Sequence, residues 1–351
     1  MSKRRIVILV VVFAALAALV YLQFRTWKTF DWRVFISETR QADPKRLAIA
    51  VGLIYSVYYL RAIRWKIFLR PVRKTSAAKL TPPQFIGFAG LALLGRPGEF
   101  IRPYLVARRE DLTFPSQMAV WMVERIFDTG SVALLLAAAL LSRRLHTIPF
   151  LAENRHIMHR LNEFGYLLVF GVAMVAVSAY AIRRNGSALA DWVELKLRRW
   201  LPKTSHVVAQ KVRNFGEGLN TIHGVGSFAE LVGLSLLIWV IVGTAYLEVT
   251  RAYPDPTLHG IEVPHLVLLM VASMAGSMLQ LPAVGGGSQL ATIAVLAHVF
   301  EVPKELAASC GVMLWLITFM AVIPAGLFLA QREHVSLREL EAESHAKAEP
   351  S

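Results

Sequence analysis

The sequence predicts an all-α membrane protein, a polytopic transmembrane helix bundle of about seven to eight spans with two re-entrant or half-helices. Of its 351 residues, 55% are hydrophobic and only 18% are charged, which makes the chain more apolar than soluble domains are. The apolar residues form long blocks with most of the charge between them, as solvation by a bilayer requires. Two further apolar blocks are too short to cross, and they predict the half-helices.

Seven apolar segments are long enough, or nearly so, to cross a hydrocarbon core of about 30 Å. They are 6–22, 47–63, 117–141, 165–182, 228–249, 263–281 and 306–330. For 263–300, two spans and a re-entrant hairpin stay open as alternatives. The first follows three basic residues, and we interpret it as an uncleaved helix. A secretory signal peptide stays an alternative, because Ala15-Leu16-Ala17 offers a small-residue cleavage site. We predict one transmembrane domain over 1–330 and a short polar cytoplasmic tail over 331–351.

The two short apolar segments are 85–95 and 290–300. As helices of eleven residues, each reaches only about 16 Å, roughly half of the core. Backbone that is not helical at membrane depth is tolerated only where protein or a wet cavity satisfies its polar groups. Each half-helix therefore predicts a protected interior site.

The net charge of +14 does not by itself exclude any class of binding partner, but the positions of the basic residues do indicate one. The basic residues flank apolar spans, so we expect anionic lipid headgroups as partners and no nucleic acid. The strongly basic segments 61–84 and 183–227 predict cytoplasmic loops, with both termini cytoplasmic and 251–262 and 301–305 outside. The segment 23–46 opposes this orientation, since it is also basic. A single cysteine excludes an intramolecular disulfide and a cysteine-based metal site.

The clearest anomaly is a run of charge inside the segment 117–141, formed by Glu124, Arg125 and Asp128. The thirteen apolar residues after it make only about 20 Å of helix, so the span must draw these charges into the membrane. The spacing of Arg125 and Asp128 allows an ion pair, which leaves Glu124 in need of a second cation. Two interpretations stay open: a purely structural pin between helices, or part of a substrate or ion pathway.

A second charged cluster follows the first half-helix, in the run from Arg96 through Pro97-Gly98 to Tyr104. Proline and glycine break the helix there. Arg96, Glu99 and Arg102 are spaced by three, so a helical turn would stack two guanidinium groups around one carboxylate. Arginine suits bidentate phosphate recognition. The alternative is a cytoplasmic turn with an exposed ion-pair ladder.

A third feature is the loop before the second half-helix, with Gly285, Gly286, Gly287 and Gln289. Three consecutive glycines allow the backbone to approach a ligand, and free amides at the following helix N-terminus favour an anion. The loop lacks the Walker ending and a preceding strand. A flexible kink at membrane depth is therefore an equally open interpretation.

Arg61, Arg64 and Trp65 end the segment 47–63, and we predict that they anchor it at the cytoplasmic interface. The histidines show no HExxH or comparable spacing, and no grouping of serine, histidine and acid marks a hydrolase. We predict no metal, no cofactor and no enzymatic activity.

Read together, Arg61-x-x-Arg64-Trp65, Arg96-Pro97-Gly98-Glu99-x-x-Arg102-x-Tyr104 and Glu124-Arg125-x-x-Asp128 resemble the transmembrane domain of the lysylphosphatidylglycerol synthase/flippase family, also called flippase-like or UPF0104. The resemblance covers about residues 5–330. It implies a bacterial or archaeal cytoplasmic membrane protein that moves charged lipids or helps to modify them. Synthase members carry a large soluble C-terminal domain, whereas this chain ends about twenty residues after its last span, so aminoacyl transfer is not expected.

One departure from the family pattern concerns Gln289. The family's glycine-rich break is commonly followed by Gly-x-x-Glu, and glutamine stands at that glutamate position here, which removes a carboxylate that would couple transport. The leading hypothesis is a translocase for an anionic or polyprenyl-linked lipid. In it, Arg96, Arg102 and the amides of the glycine loop engage the headgroup, while Glu124, Arg125 and Asp128 form a switchable internal ion network. The alternative is a non-transporting scaffold or regulator of an envelope glycosyltransferase or lipid synthase.

Overall fold

The computed structural model describes residues 30–198, 224–277, 280–281 and 285–333. The predicted first span at 6–22 and the predicted tail beyond residue 333 lie outside the described residues. The described chain is helical apart from one antiparallel pair of two-residue strands, and the predicted all-α bundle is confirmed.

The helices, in chain order, are α1 (Trp32–Gln41), α2 (Pro44–Leu69), α3 (Ala77–Leu94), α4 (Ile101–Glu110), α5 (Phe114–Leu140), α6 (Pro149–Glu153), α7 (Arg155–Arg198), α8 (Gly224–Thr250), α9 (Pro256–His259), α10 (Val263–Gly276), α11 (Gly287–His298), α12 (Lys304–Trp315) and α13 (Val322–Arg332). Short 3-10 helices precede α4 and α6, at Arg96–Phe100 and Arg143–Thr147. The strands are β1 (Gln280–Leu281) and β2 (Gly285–Gly286).

Among the described residues, three helical runs are both long and apolar enough to cross a membrane: α2, α8 and the continuous run from α12 to α13. A π-helical turn at Leu316–Met320 joins the two halves of that last run. Helices α5 and α7 have 27 and 44 residues, which is also enough length to cross. These elements correspond to the predicted segments 47–63, 117–141, 165–182, 228–249 and 306–330.

Ion pairs and backbone contacts define the two ends of the bundle. At the end called here the Arg70 end, Arg70 contacts Glu230 at 3.1 Å and Arg109 contacts Glu333 at 2.6 Å. At the opposite Arg144 end, Arg144 contacts Glu262 at 2.6 Å, and Asp43 N donates to Ala252 O at 2.8 Å. The chain around Arg70 and the segment 251–262 therefore lie at opposite ends, as predicted. The segment 183–227 is described only in part, and the assignment of the Arg70 end to the cytoplasm stays a prediction.

The first re-entrant hairpin consists of α3 and α4 and enters from the Arg70 end. The Ser76 side chain caps the start of α3, and Thr75 Oγ1 donates to Glu110 Oε1 at 2.7 Å, which brings the end of α4 back to the same end. The chain turns at Gly95, whose φ of 70° favours glycine. A Cβ at Gly98 would overlap the carbonyl of Gly90, so the turn is closely packed.

The predicted half-helix 85–95 ends where expected but begins at Ala77, so its predicted start was wrong. Pro82 and Pro83 lie inside the helix, although proline normally ends one. Leu80 and Pro83 are buried, and α3 packs along both α2 and α13. This packing holds the helix through the prolines.

The second re-entrant hairpin consists of α10 and α11 and enters from the Arg144 end. A Cβ at Gly276 would overlap the carbonyl of Gly287, so the helices meet at the turn. At their other ends, the rings of His265 and Phe300 are 5.7 Å apart. The helices are antiparallel, with 14 and 12 residues, and they reach only about 18–21 Å.

The structure decides between the two alternatives for 263–300 in favour of the re-entrant hairpin, and the candidate segment 263–281 is not one full span. Helix α10 ends at Gly276, and the chain returns through α11 to the end from which it entered. The sequence run looked continuous because Ser277 and the next apolar residues carry no charge to mark the turn. The predicted half-helix at 290–300 corresponds to α11.

Candidate functional site

Six charged residues meet near the middle of the bundle, and we call them the ion cluster: Arg61, Arg64, Arg102, Glu124, Arg125 and Asp128. Helix α5 carries three of them. Glu124 lies ten residues after Phe114 and sixteen before Leu140, about 15 Å and 24 Å along the helix. The expectation that α5 draws its charges into the bundle interior is confirmed for the two carboxylates, which are 1% and 5% exposed.

Arg64 is the centre of the cluster. Its Nη2 contacts Glu124 Oε1 at 2.5 Å, and its Nη1 contacts Asp128 Oδ1 at 2.7 Å. The same Nη1 donates to Ser235 Oγ of α8 at 2.8 Å. Arg64 has no exposed surface, so one guanidinium group links α2, α5 and α8.

Arg102 brings the first hairpin into the cluster. Its Nη2 contacts Glu124 Oε2 at 2.5 Å, and its Nη1 donates to Gln84 Oε1 of α3 at 3.1 Å. The guanidinium lies over the rings of Trp65 and Phe88, at 4.8 and 5.0 Å, an arrangement that stabilises a cation away from water. Glu124 therefore finds the additional cations that the sequence demanded, in Arg64 and Arg102.

Asp128 is held by cations from two helices and by an indole. Arg61 contacts it at 3.1 Å, and Trp239 Nε1 donates to it at 3.2 Å. The ion pair predicted between Arg125 and Asp128 is present at 3.4 Å. The Arg125 side chain is 41% exposed, unlike the other three arginines.

The cluster carries a surplus of positive charge. Its four guanidinium groups face two carboxylates, which leaves a formal charge of two. Charge inside a membrane protein is costly and usually faces a polar interior or a cavity. A surplus that the cluster does not neutralise can attract an anion.

A cavity of about 400 Å³ adjoins the ion cluster. Both hairpins contribute to its wall: Leu91, Arg96 and Glu99 from the first, and Ser273, Ser277 and Ser288 from the second. Arg61, Arg125, Asp128, Trp239, Tyr246 and Trp315 complete much of the rest. The cavity is thus charged on the side of the first hairpin and rich in hydroxyl groups on the side of the second.

The predicted interface position of Arg61, Arg64 and Trp65 was wrong. All three are buried, and Trp65 Nε1 donates to Gln117 Oε1 at 2.9 Å. Helix α2 continues to Leu69, so these residues lie before its end. A basic stretch after an apolar run resembles a topogenic signal, and only the partners on α5 reveal that two of its arginines are internal.

The predicted stack around Glu99 is replaced by a different arrangement. Arg96 and Glu99 line the cavity, but Arg102 pairs with Glu124. Tyr104 packs beside the apolar cluster of Ile86, Ile101, Leu105 and Ala330 and is not part of the cavity wall. The turn therefore separates the candidate residues into an exposed Arg96, a half-buried Glu99 and a buried Arg102.

The glycine loop forms the tip of the second hairpin. Gly286 N donates to Gln289 Oε1 at 2.9 Å, so Gln289 caps the start of α11. Gly286 has φ 131° and ψ −114°, a conformation that only glycine adopts readily. Gly285 and Gly287 flank it in the turn, while Ser288 reaches the cavity wall.

Sequence reasoning missed Gln84, Ser235 and Trp239. Ser235 and Trp239 are four residues apart and share one face of α8, where both donate or accept within the ion cluster. A polar serine and a tryptophan at that spacing in an apolar span were the available signal. Gln84 follows Pro82-Pro83, which hid it in a presumed loop.

The comparisons with known proteins agree with this architecture. Residues 6–326 match the family model of the lysylphosphatidylglycerol synthase TM region. A UPF0104 membrane protein of Methanothermobacter thermautotrophicus is 23% identical over 82% of this chain and 85% of its own length. "Glycosyltransferase AglD" of Haloferax volcanii is 26% identical over 69% of this chain.

The alignment with that glycosyltransferase spans only 40% of the relative's length. No solved structure gives a significant match. The family match extends across all five long crossing elements and both hairpins. On this basis, the chain is a membrane protein that belongs to the lysylphosphatidylglycerol synthase transmembrane-region family, which includes the UPF0104 relative.

Proposed function

We propose that the protein is a lipid translocase that moves an anionic or polyprenyl-linked lipid across the bilayer. The observation that carries the proposal is the cavity of about 400 Å³ whose wall includes the tips of two hairpins from opposite ends of the bundle. Transporters commonly bind their substrates near the membrane midplane, where helices are interrupted. A site of this kind is reachable from either side by a small movement of one hairpin.

The charge of the site supports an anionic headgroup. Arg125 and Arg96 line the cavity, and arginine binds phosphate in a bidentate manner. Arg61, Arg64 and Arg102 are engaged with Glu124 and Asp128 by ion pairs of 2.5–3.5 Å. We assign headgroup contact to Arg96 and Arg125, because both line the cavity and neither side chain is buried, and the positioning of α2, α4 and α5 to the buried members.

Donor groups at the hairpin tips also support an anion. In each hairpin the returning helical segment begins at the tip, at Arg96 in the first and at Gly287 in the second. The first backbone N–H groups of such a segment can donate to an anion, while the C-terminal ends of α3 and α10 bring the opposite partial charge to the same tips. Trp315 adds a donor, because its buried Nε1 has no acceptor among the described residues and its side chain lines the cavity.

Lipid exchange in liposomes tests the proposal. The purified full chain is reconstituted with a fluorescent phosphatidylglycerol, a polyprenyl phosphate or a phosphatidylcholine, and the label in the outer leaflet is quenched chemically. We expect the protein to accelerate exchange of at least one anionic lipid several-fold over empty vesicles. No acceleration for any of the lipids would contradict the proposal.

Arg125→Gln is the informative variant, because Arg125 is partly exposed and its nearest ion pair is 3.4 Å. We expect exchange of the anionic lipid to fall several-fold with little change in thermal stability. Arg109→Gln is the matched control, since Arg109 pairs with Glu333 at the Arg70 end, away from the cavity. Equal rates for both variants would argue against a headgroup contact at Arg125.

We also infer a location and orientation. The basic stretches 61–84 and 183–227 favour a cytoplasmic Arg70 end in a bacterial or archaeal cytoplasmic membrane. Both termini are then cytoplasmic. Labelling of single cysteines at Arg73 and Arg143 in intact cells tests the assignment, and reagent access to Arg73→Cys from outside would contradict it.

A second candidate function is a scaffold or regulator of an envelope glycosyltransferase or lipid synthase. The similarity to part of a relative named as a glycosyltransferase favours it. Both candidates assign no bond-making chemistry to this chain. Cross-linking in native membranes followed by purification tests the scaffold, and recovery of one transferase or synthase together with inactive liposomes would favour it over transport.

A further inference from the structure

A second, apolar opening lies beside the ion cluster, between α5 and α7, and we call it the lateral groove. Its volume is about 460 Å³. Helix α5 contributes Arg125, Ile126, Thr129, Gly130 and Ala133, and α7 contributes Leu167, Leu168, Gly171 and Val172. Apart from Arg125 and Thr129, these side chains are apolar or absent.

The groove exists because α5 and α7 touch closely only nearer the Arg144 end. There Gly165 packs against Leu140 and Leu141. Further along, a Cβ added at Gly130 or at Gly171 would meet nothing within 4 Å. The two glycines therefore keep space open between the helices at mid-depth.

The outer side of the groove is exposed and apolar. Leu167 is 61% exposed and Phe170 is 62% exposed, which is expected for a helix surface in contact with acyl chains. Among the described elements, helix α7 packs mainly on α5 and α6. A hydrocarbon chain can enter such a groove from the bilayer without crossing a polar barrier.

Arg125 joins the groove to the central cavity, because Arg125 and Thr129 line both spaces. The Arg125 guanidinium therefore has the apolar lateral groove on one side and the polar central cavity, with its surplus positive charge, on the other. An amphipathic anion matches this division, with its charge at Arg125 and its tail in the lateral groove. A free hydrophilic anion would leave the lateral groove empty.

We propose that the lateral groove holds the hydrocarbon tail of the transported lipid while its anionic headgroup occupies the central cavity beside Arg125. The inference rests on the proposed function and adds to it the place where the hydrocarbon tail of the anionic lipid lies. Gly130 and Gly171 are specificity-determining positions, since their missing side chains provide the space.

Photo-crosslinking tests the groove independently of transport. The full chain is reconstituted with phosphatidylglycerol that carries a diazirine in one acyl chain, or with phosphatidylcholine that carries the same probe, and labelled peptides are mapped by mass spectrometry. We expect the anionic lipid to label 126–133 and 167–172 several-fold more than the zwitterionic lipid does. At Val240, an exposed residue of α8, the two lipids should label equally.

Variants at the glycines complete the test. Gly130→Leu and Gly171→Leu fill the groove, and we expect each to abolish the preference for the anionic lipid there. Gly233→Leu is the matched control, because a Cβ at Gly233 of α8 also meets nothing within 4 Å and Gly233 lines neither space. Equal labelling of the wild-type groove by both lipids would overturn the inference, whatever the variants do.

The groove and the transport function can fail separately. Selective labelling without any lipid exchange would support the groove as a lipid site and contradict translocation. Exchange that is accelerated by the protein, together with unselective labelling and with normal rates for Gly130→Leu and Gly171→Leu, would support translocation and overturn the groove.

Discussion

The two hairpins share one architecture, but the wall that the first contributes to the cavity is charged and the wall that the second contributes is neutral. Each enters the bundle from one end, turns at mid-depth and places its tip in the wall of one cavity. The first hairpin carries Arg96, Glu99 and Arg102, and it is tied to α5 by the contact between Arg102 and Glu124 at 2.5 Å. The second presents serines and glycines, and its turn is closed by the Gln289 cap at 2.9 Å.

The difference teaches how each hairpin is held in place. Both turns are closely packed at glycines, but the first hairpin is also positioned by charge, so its location depends in addition on guanidinium groups that are buried with their carboxylates. The second is positioned by backbone fit, because its helices approach where Gly276 meets Gly287. Removing a charge should therefore affect the first hairpin, and adding a methyl group should affect the second.

The largest effect is expected for Arg64→Met. Arg64 contacts both buried carboxylates, and breaking a buried ion pair typically costs about 3–5 kcal/mol. Because Arg61 and Arg102 still accompany the carboxylates, we expect a loss near the lower limit, about 3 kcal/mol. Chemical unfolding of the purified protein in detergent measures it.

Arg70→Met is the matched control on the same helix. The pair of Arg70 and Glu230 is about half exposed, and exposed pairs contribute about 0–1 kcal/mol. If the two variants unfold at the same denaturant concentration, the ion cluster with which the first hairpin pairs contributes no more than an exposed ion pair, and the contrast between the hairpins loses its basis.

The fold was more predictable from sequence than the site was. The thickness of the bilayer sets the length that a span needs, so each of the five crossing elements overlaps a predicted segment. The turn after Gly276 was missed because the run through 277–281 has no charged residue. Hydropathy reports whether a residue tolerates lipid, and it does not report whether the chain continues or turns back.

Within the site, the carboxylates were predictable and their partners were not. The part of α5 that follows Asp128 is too short to cross the membrane by itself, so the span must include Glu124 and Asp128. Their burial therefore followed from the length of α5 alone. The cations came from Arg64 and Arg102, which are 60 and 22 residues away in sequence. Arginines near the end of an apolar run are equally suited to headgroups, and only tertiary packing decides between the two.

An intermediate effect is expected for Gly286→Ala in the second hairpin. The backbone conformation at φ 131° and ψ −114° is strained for any residue with a Cβ, at a cost of about 1–3 kcal/mol. We expect the free energy of unfolding to fall by that amount. Thermal unfolding in detergent, followed by loss of tryptophan fluorescence, measures the change.

Gly243→Ala provides the comparison, because a Cβ there meets nothing within 4 Å. Replacing a helical glycine by alanine should raise stability by up to about 1 kcal/mol. A Gly286→Ala protein as stable as Gly243→Ala would mean that backbone fit does not position the second hairpin.

The smallest effect on stability is expected at two adjacent positions in the tip of the second hairpin, Ser288 and Gln289. Variants at these positions also test the role of the neutral side of the cavity. Ser288 lines the cavity, whereas the Gln289 side chain accepts from Gly286 N. Ser288→Asp adds a carboxylate to the cavity wall, and Gln289→Glu adds one that can keep the cap and favours the start of α11. Both should change the free energy of unfolding by less than about 1 kcal/mol.

Their effects on lipid exchange should differ. A carboxylate at residue 288 repels an anionic headgroup in the cavity, so we expect Ser288→Asp to slow exchange of phosphatidylglycerol several-fold more than exchange of phosphatidylcholine. Gln289→Glu should leave both rates near those of the wild type. If both variants slow lipid exchange equally, a negative charge anywhere at the tip of the second hairpin has the same effect. That result would contradict a specific role for the cavity-facing Ser288 in admitting the headgroup.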